Sequence, residues 1–316
     1  MNLPESTMKN AEESTTVRTP RRSAASTAGS LAARSRGRGG KPVLRRIALH
    51  AFLVMVCIGM LYPLLWMMRG SILPENQIFS TQTWIPDEIV LSNYWEGWAA
   101  NPPGFGRFLL NSAIVAGAAV AGNLIACTLA AYAFARIDFP LKRLWFALML
   151  ATVMIPVHAT LIPQYTIFTA IGWVDTYLPL IIPKFLATDA FFIFLLVQFM
   201  RSIPRELDEA AEIDGCNHVQ RFIRVLLPVM TPALATTAVF TFIWTYEDFM
   251  GPLIYLADIN RYTVPLGLRM FMNSMGESSY GQLFAMTTLS LIPVFIVFMI
   301  FQRRLIEGIA TTGLKG

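Results

Sequence analysis

The chain has 316 residues, 55% of them hydrophobic and 14% charged, with a mean hydropathy of +0.52. Soluble domains carry about a quarter charged residues, so this balance excludes an ordinary soluble protein and favours an integral membrane protein. The formal net charge is +5, and the positive charge gathers at the N-terminus.

Residues 1–46 are polar, without aromatics, and rich in Ser, Thr, Ala, Arg and Gly. They carry ten Lys and Arg against Glu5, Glu12 and Glu13. With no apolar period to bury, such a segment is expected to be a disordered basic tail. Its charge suits anionic membrane lipid, at about 1 kcal/mol per cation near the surface. Nucleic acid is not an expected partner, because no aromatic residue or folded module accompanies the charge. The next apolar run is too long for a signal-peptide core and lacks a small-residue cleavage site.

A membrane-spanning helix needs about 20 mainly apolar residues. Six such stretches occur, at residues 47–68, 108–135, 144–168, 177–200, 227–252 and 283–301. The tail, the 136–143 and 201–224 connections and the C-terminus hold 20 Lys and Arg; the opposite side holds 5. The excess of positive charge predicts that the first set, and so both termini, is cytoplasmic. The second span carries Ala118, Gly122, Ala126 and Ala130 at four-residue spacing, a smooth stripe for close helix packing. Pro63, Pro156, Pro163, Pro179, Pro183 and Pro293 each remove an amide donor and favour a kink.

The 201–226 connection reads as two short helices. Pro204 suits a helix start, where an amide is not needed. Leu207, Ala210, Ala211 and Asp214 share one face by spacing. Gly215 is placed as a C-terminal stop that takes a positive φ. Asn217 and Gln220 form a capping box, and Val219, Phe222, Ile223 and Leu226 make the second apolar stripe. An ordinary amphipathic hairpin at the membrane surface has this same pattern.

The sequence Glu209-Ala210-Ala211, then Asp214-Gly215, resembles the EAA motif of the permease subunits of bacterial ABC importers. Ile203-Pro204, Phe222, Leu227-Pro228 and Pro232 are similar to that family's loop in order. Phe108 with Asn111-Ser112 resembles the start of its transmembrane domain. Ile155-Pro156, Ile162-Pro163 and Gly172 are similar to its third span and following turn. The ending from Gln302 to Gly316 resembles the sugar-importing maltose permease group. The likeness runs from about the first span to the last residue.

The resemblance implies an all-α membrane protein with six transmembrane helices, the type I ABC importer transmembrane domain. Residues 47–107 would be the first helix and an extracytoplasmic loop. Residues 108–302 would be the importer domain with coupling loop 201–226, and 303–316 a cytoplasmic tail. The implied location is the bacterial inner membrane. The implied partners are a second, non-identical permease, an ATPase dimer and an extracytoplasmic solute-binding protein. Glu209, Ala210, Ala211, Asp214 and Gly215 would dock on the ATPase, with Gly313, Leu314, Lys315 and Gly316 a second contact. The implied cargo is a sugar, either an oligosaccharide or a related polyol such as glycerol phosphate.

After the fifth span the chain departs from the family's pattern as Trp244-Thr245-Tyr246-Glu247-Asp248-Phe249. Glu247 and Asp248 read either as a solvated rim or as pathway lining, since ionisable groups within a span are costly. Lys184 and Asp189 pose the same alternative. Trp244, Tyr246, Tyr255, Tyr262 and Asn273 are candidate sugar contacts, as is Asn260. A self-sufficient secondary transporter coupled through Glu247, Asp248 and Asp189 is the competing reading, although no internal repeat is evident. Catalysis is not expected. His50, His158 and His218 belong to no HExxH, GxSxG is absent, and Gly40-Lys41-Pro42 is not a P-loop. Cys57, Cys127 and Cys216 form no metal-binding or disulfide spacing, and no cofactor is expected.

Overall fold

A computed structural model of the chain describes residues 40–80, 88–100, 102–272 and 279–313. The described residues are helical or irregular, with no strand among them. In chain order the helices are α1 (Gly40–Gly70), α2 (Ser92–Ala99), α3 (Phe105–Arg136), α4 (Lys142–Thr152) and α5 (Val157–Ala170). There follow α6 (Leu178–Phe185), α7 (Ala190–Ser202), α8 (Glu206–Ile213), α9 (His218–Arg221) and α10 (Leu227–Val229). The last four are α11 (Thr231–Tyr246), α12 (Met250–Tyr255), α13 (Val264–Arg269) and α14 (Tyr280–Gly313). Residues 1–62 form one unit and 63–316 a second.

Arg45–Gly70, Phe105–Arg136, Leu178–Ser202 and Tyr280–Leu305 are each long and apolar enough to cross a membrane. Two bent pairs bring the number to six if each pair is one span. The expected third span is thus a pair, α4 and α5, bent by 98° at Val153–Pro156. Pro156 cannot donate to the preceding turn, so the ladder stops there. The expected fifth span begins earlier and ends sooner than 227–252. His218–Val229 meets Thr231–Tyr246 at 76°, α11 stops at Tyr246, and α12 is a separate turn. The fourth span is interrupted between Phe185 and Ala190.

Helix α3 is the centre of the second unit, packed against α11, α7 and α6. Lipid tails are as apolar as side chains, so helices in a membrane associate through close packing rather than escape from water. The sequence supplies small residues accordingly. Ala119, Asn123, Cys127 and Ala131 lie four apart on α3 and are wholly buried. That line is displaced by one residue from the predicted Ala118–Ala130 stripe, of which only Gly122 is buried. Gly122 is where α6 comes closest. A Cβ there would lie 2.7 Å from Phe185 and 3.0 Å from the Lys184 carbonyl carbon. The ring can rotate; the backbone cannot. Gly122→Ala should therefore destabilise the bundle by about 1–3 kcal/mol, the usual cost of overpacking. Gly117→Ala, where a Cβ meets nothing within 4 Å, should be neutral. Thermal unfolding of the solubilised protein checks the contrast.

One core joins α3, α7 and the 222–233 segment through Cys127, Phe192, Leu196, Met200, Leu226 and Met230. The other joins α3, α11, α13 and α14 through Phe105, Phe108, Tyr246, Val264, Ala285 and Met286. The start of α14 is fixed by Glu75, whose two carboxylate oxygens accept from the amides of Tyr280 and Gly281 at 2.8 and 3.0 Å. An anion there satisfies amides that no helical carbonyl can reach and complements the helix dipole.

Candidate functional site

The 201–226 connection folds as its sequence dictates. Glu206, Asp208 and Glu209 occupy the first turn of α8, where negative charge complements the helix dipole. The helix ends in a Schellman turn. Cys216 N donates to the Ala211 carbonyl at 2.9 Å, and Gly215 N to that of Glu212 at 3.0 Å. Gly215 has a φ of +81°, as its placement required. Asn217 and Gln220 then close the expected capping box, each side chain bonding the other's amide at 2.9–3.0 Å. A π-helical turn, Phe222–Leu226, leads into α10.

The faces of this hairpin differ from the spacing-based expectation. Of Leu207, Ala210, Ala211 and Asp214, only Ala211 is buried. Asp208 turns inward beside it, because Arg136 at the end of α3 draws it there. The Arg136 Nε meets the Asp208 Oδ2 at 2.8 Å, as an ion pair rather than an aligned hydrogen bond, with side-chain exposures of 7% and 15%. Nη2 of the same guanidinium donates to the Ile203 carbonyl at 2.9 Å. Tyr132, one turn back on α3, donates to the His218 carbonyl at 3.2 Å and packs on Phe222, ring centroids 5.0 Å apart. Arg221 pairs with Glu212 at 2.8 Å and ties the two short helices together. Phe222 and Leu226 point inward, whereas Val219 and Ile223 are exposed. Opposite this anchored side stand Leu207, Ala210, Asp214 and Ile213, the last 87% exposed, while the exposed Glu209 flanks it beside Arg136 and Asp208.

A second polar constellation lies at the interruption between α6 and α7. Asp189 Oδ2 receives Lys184 Nζ at 2.8 Å and Asn123 Nδ2 at 2.6 Å. The same Asn123 amide reaches Thr241 Oγ1 on α11 at 3.1 Å. Asn123 has no exposure, and the Lys184 and Asp189 side chains retain 28% and 25%. Irregular backbone at membrane depth is tolerated where protein or a watery cavity satisfies it. Here Thr188 donates to the Pro183 carbonyl at 2.9 Å. The sequence reading singled out Lys184 and Asp189 but missed Asn123 and Thr241. A lone Asn inside an apolar span was the available signal, since an unbonded amide there is costly.

The other candidates are scattered. Asp248 precedes α12, its Oδ1 accepting from the amides of Met250 and Gly251 in the first turn at 3.1 Å each; Glu247 is exposed beside it. Trp244 is half-exposed against Phe191, Phe192 and Phe240. Tyr246 is a packing residue, buried against Phe242 with its hydroxyl on the Ser290 carbonyl at 3.0 Å. Tyr255 is likewise buried, stacked on Tyr165. Tyr262 is half-buried, and its carbonyl and that of Asn260 receive the Asn111 amide at 2.9 and 2.8 Å. Asn273, Leu314, Lys315 and Gly316 lie outside the described residues, and Gly313 is the end of α14.

Asp175 organises the 255–262 segment. Its Oδ1 accepts from the amides of Ala257 and Asp258 at 3.0 Å each, and its Oδ2 pairs with Arg261. The Asp258 amide foremost, then that of Ala257 and the Arg261 guanidinium, hold the Asp175 carboxyl below the usual carboxylate range. A depressed folded value gives stabilisation that is present above the unfolded value and lost as pH falls through the folded one. The protection of the Ala257 and Asp258 amides from hydrogen exchange, relative to the intrinsic rate at each pH, should therefore hold at neutral pH and be lost as pH falls below the usual carboxylate range. Asp175→Ala should remove that protection at every pH.

The family model described as binding-protein-dependent transport system inner membrane component matches residues 122–310. The chain belongs to this family. It is 31% identical over 274 residues to the trehalose/maltose transport system permease protein MalG of Thermococcus litoralis, covering 87% of this chain and 98% of that one. It is 31% identical over 266 residues to the sn-glycerol-3-phosphate transport system permease protein UgpE of Yersinia pestis, with coverages of 82% and 94%. A solved bacterial ABC transporter involved in import of the acidic polysaccharide alginate shares the fold, at a TM-score of 0.74 and 22% identity over 85% of this chain and 99% of that one. The permease is thus an inner-membrane ABC importer subunit, of a family of transport rather than catalytic components.

Proposed function

We propose that this permease forms half of the translocation pathway for a sugar or related polyol, delivered by an extracytoplasmic binding protein. A second, non-identical permease supplies the other half, and an ATPase dimer docks on α8. Both termini, α8 and the 303–316 tail lie in the cytoplasm, the tail from Gly313 to Gly316 giving the ATPase a second contact. The observation that carries the reading is the two-sidedness of α8. Asp208 is held against α3 and Ala211 is buried, while Glu209, Ala210, Ile213 and Asp214 are left exposed. Glu209 and Asp214 have no intramolecular side-chain partner among the described residues, so their carboxylates are available to orient a partner. Small Ala210 permits close approach. The sugar class rests on the trehalose/maltose and glycerol phosphate permeases to which the chain is similar.

A self-sufficient transporter is disfavoured by Asp189, which Lys184 and Asn123 already engage. Purification of the tagged chain in mild detergent, with mass spectrometry of what accompanies it, tests the proposal. An ATPase, a second permease and a binding protein are expected. The chain alone, moving solute in proteoliposomes without ATP, would overturn it.

A further inference from the structure

The end of α3 at Arg136, the end of α7 at Ser202 and the start of α4 at Lys142 meet beside the α8 hairpin. Between these ends lies a cavity of about 600 Å³ whose wall carries Arg136, Lys142, Arg201 and Arg205, with Glu206 the one acidic side chain. Two of the cations are already engaged. Arg136 is paired with Asp208, and Lys142 donates to the Ile137 carbonyl at 2.7 Å and to Asp138 at 3.2 Å. Arg201 and Arg205 are exposed and have no ion pair among the described residues. The Arg201 guanidinium lies over the Phe146 ring, 5.2 Å from its centroid, which holds it at the cavity without neutralising it.

The depth of this cavity sets what it would meet. Where spans end, the surrounding medium changes from hydrocarbon to headgroups. On α4, which supplies Lys142 to the cavity wall, Leu144, Trp145 and Leu148 are each about half-exposed, and a Trp near a span end is typical of the membrane interface. Cationic side chains at headgroup level match the phosphate of an anionic phospholipid. A planar guanidinium donates two parallel bonds to phosphate oxygens, so arginines suit this better than point charges.

We propose that the Arg201–Arg205 cavity binds the phosphodiester headgroup of an anionic phospholipid. The bound lipid contacts the 202–206 segment that leads into α8, so its occupancy bears on the position of that helix.

The test is native mass spectrometry of the complex containing this chain, released from vesicles of equal phosphatidylglycerol and phosphatidylcholine. Phosphatidylglycerol should be retained preferentially, and Arg201→Gln with Arg205→Gln should reduce its retention about thirtyfold, as expected for two charges near the surface. Arg201→Lys with Arg205→Lys keeps the charge and should keep most of the retention, separating loss of binding from loss of fold. Equal retention of both lipids, or an unaltered preference in the Gln variant, would overturn the proposal. So would displacement of the lipid by excess inorganic phosphate, which would assign the cavity to a free anion. Loss of the ATPase without loss of lipid in the Gln variant would instead give the two arginines to the protein partner.

Discussion

Arg136→Ala should cost the permease about 3 kcal/mol, the low end for removing one partner from a buried ion pair. The loss has two parts. Asp208, 15% exposed, is left as a carboxylate without its counterion, and the Ile203 carbonyl loses its 2.9 Å donor. Asp208→Ala should cost less, because the guanidinium keeps the carbonyl contact. The double variant should cost less than the two singles combined, since neither charge is then left unpaired. In transport, both singles should leave the chain inserted in the membrane. They should also slacken the joint between α8 and α3, so that ATP hydrolysis continues while solute uptake falls. A thermal-stability cycle over the four proteins, read beside uptake and ATPase rates in proteoliposomes, checks it. Fully additive losses would show that the pair does not act as a unit, and unchanged uptake would remove the joint from the mechanism.

This joint was not legible in the sequence, for a physical reason. Arg136 and Asp208 are 72 positions apart by number and meet only because the end of α3 lies against the start of α8. The sequence reading gave Asp208 no role and assigned Asp214 to the shared face, since spacing identifies which residues are on one side but not which side is inward. The same limit applies to the span-centre cluster, where Asn123 reaches Asp189 across 66 positions and Thr241 across 118. What the sequence determines locally was readable. The Gly215 stop, the Asn217–Gln220 box and the break at Pro156 each depend on residues within a few positions. The apolar runs located the spans, but not the interruption at 186–189 or the early end of α11. Both are set by polar groups, Asp189 and Asp248, that hydropathy counts only as charges. The position of the buried line on α3 was missed by one residue, because Ala, Asn and Cys are all small enough to pack.

Gly215 carries the other large expected effect, and its cause can be isolated. A Cβ at this position meets nothing within 4 Å, so a substitution adds no clash. Only the backbone opposes it: at a φ of +81°, an L-residue is strained by about 1–2 kcal/mol. The Schellman turn relieves that strain by opening. It would thereby release the Cys216 and Gly215 amides from Ala211 and Glu212, and swing α9 relative to α8. A docking segment that holds its closed turn only part of the time binds more weakly in proportion, and about 1.4 kcal/mol is a tenfold loss. Gly215→Asn should retain most uptake, since Asn visits this conformation with least penalty among side-chain-bearing residues. Gly215→Ala should lower uptake several-fold and Gly215→Val most, because a β-branched residue is the least tolerant of positive φ. All three should insert normally and unfold at nearly the wild-type temperature. Co-purification of the ATPase with each variant, set against uptake, tests the series. Equal retention and uptake in the Val and Asn variants would show that the turn is not what positions α8 for docking.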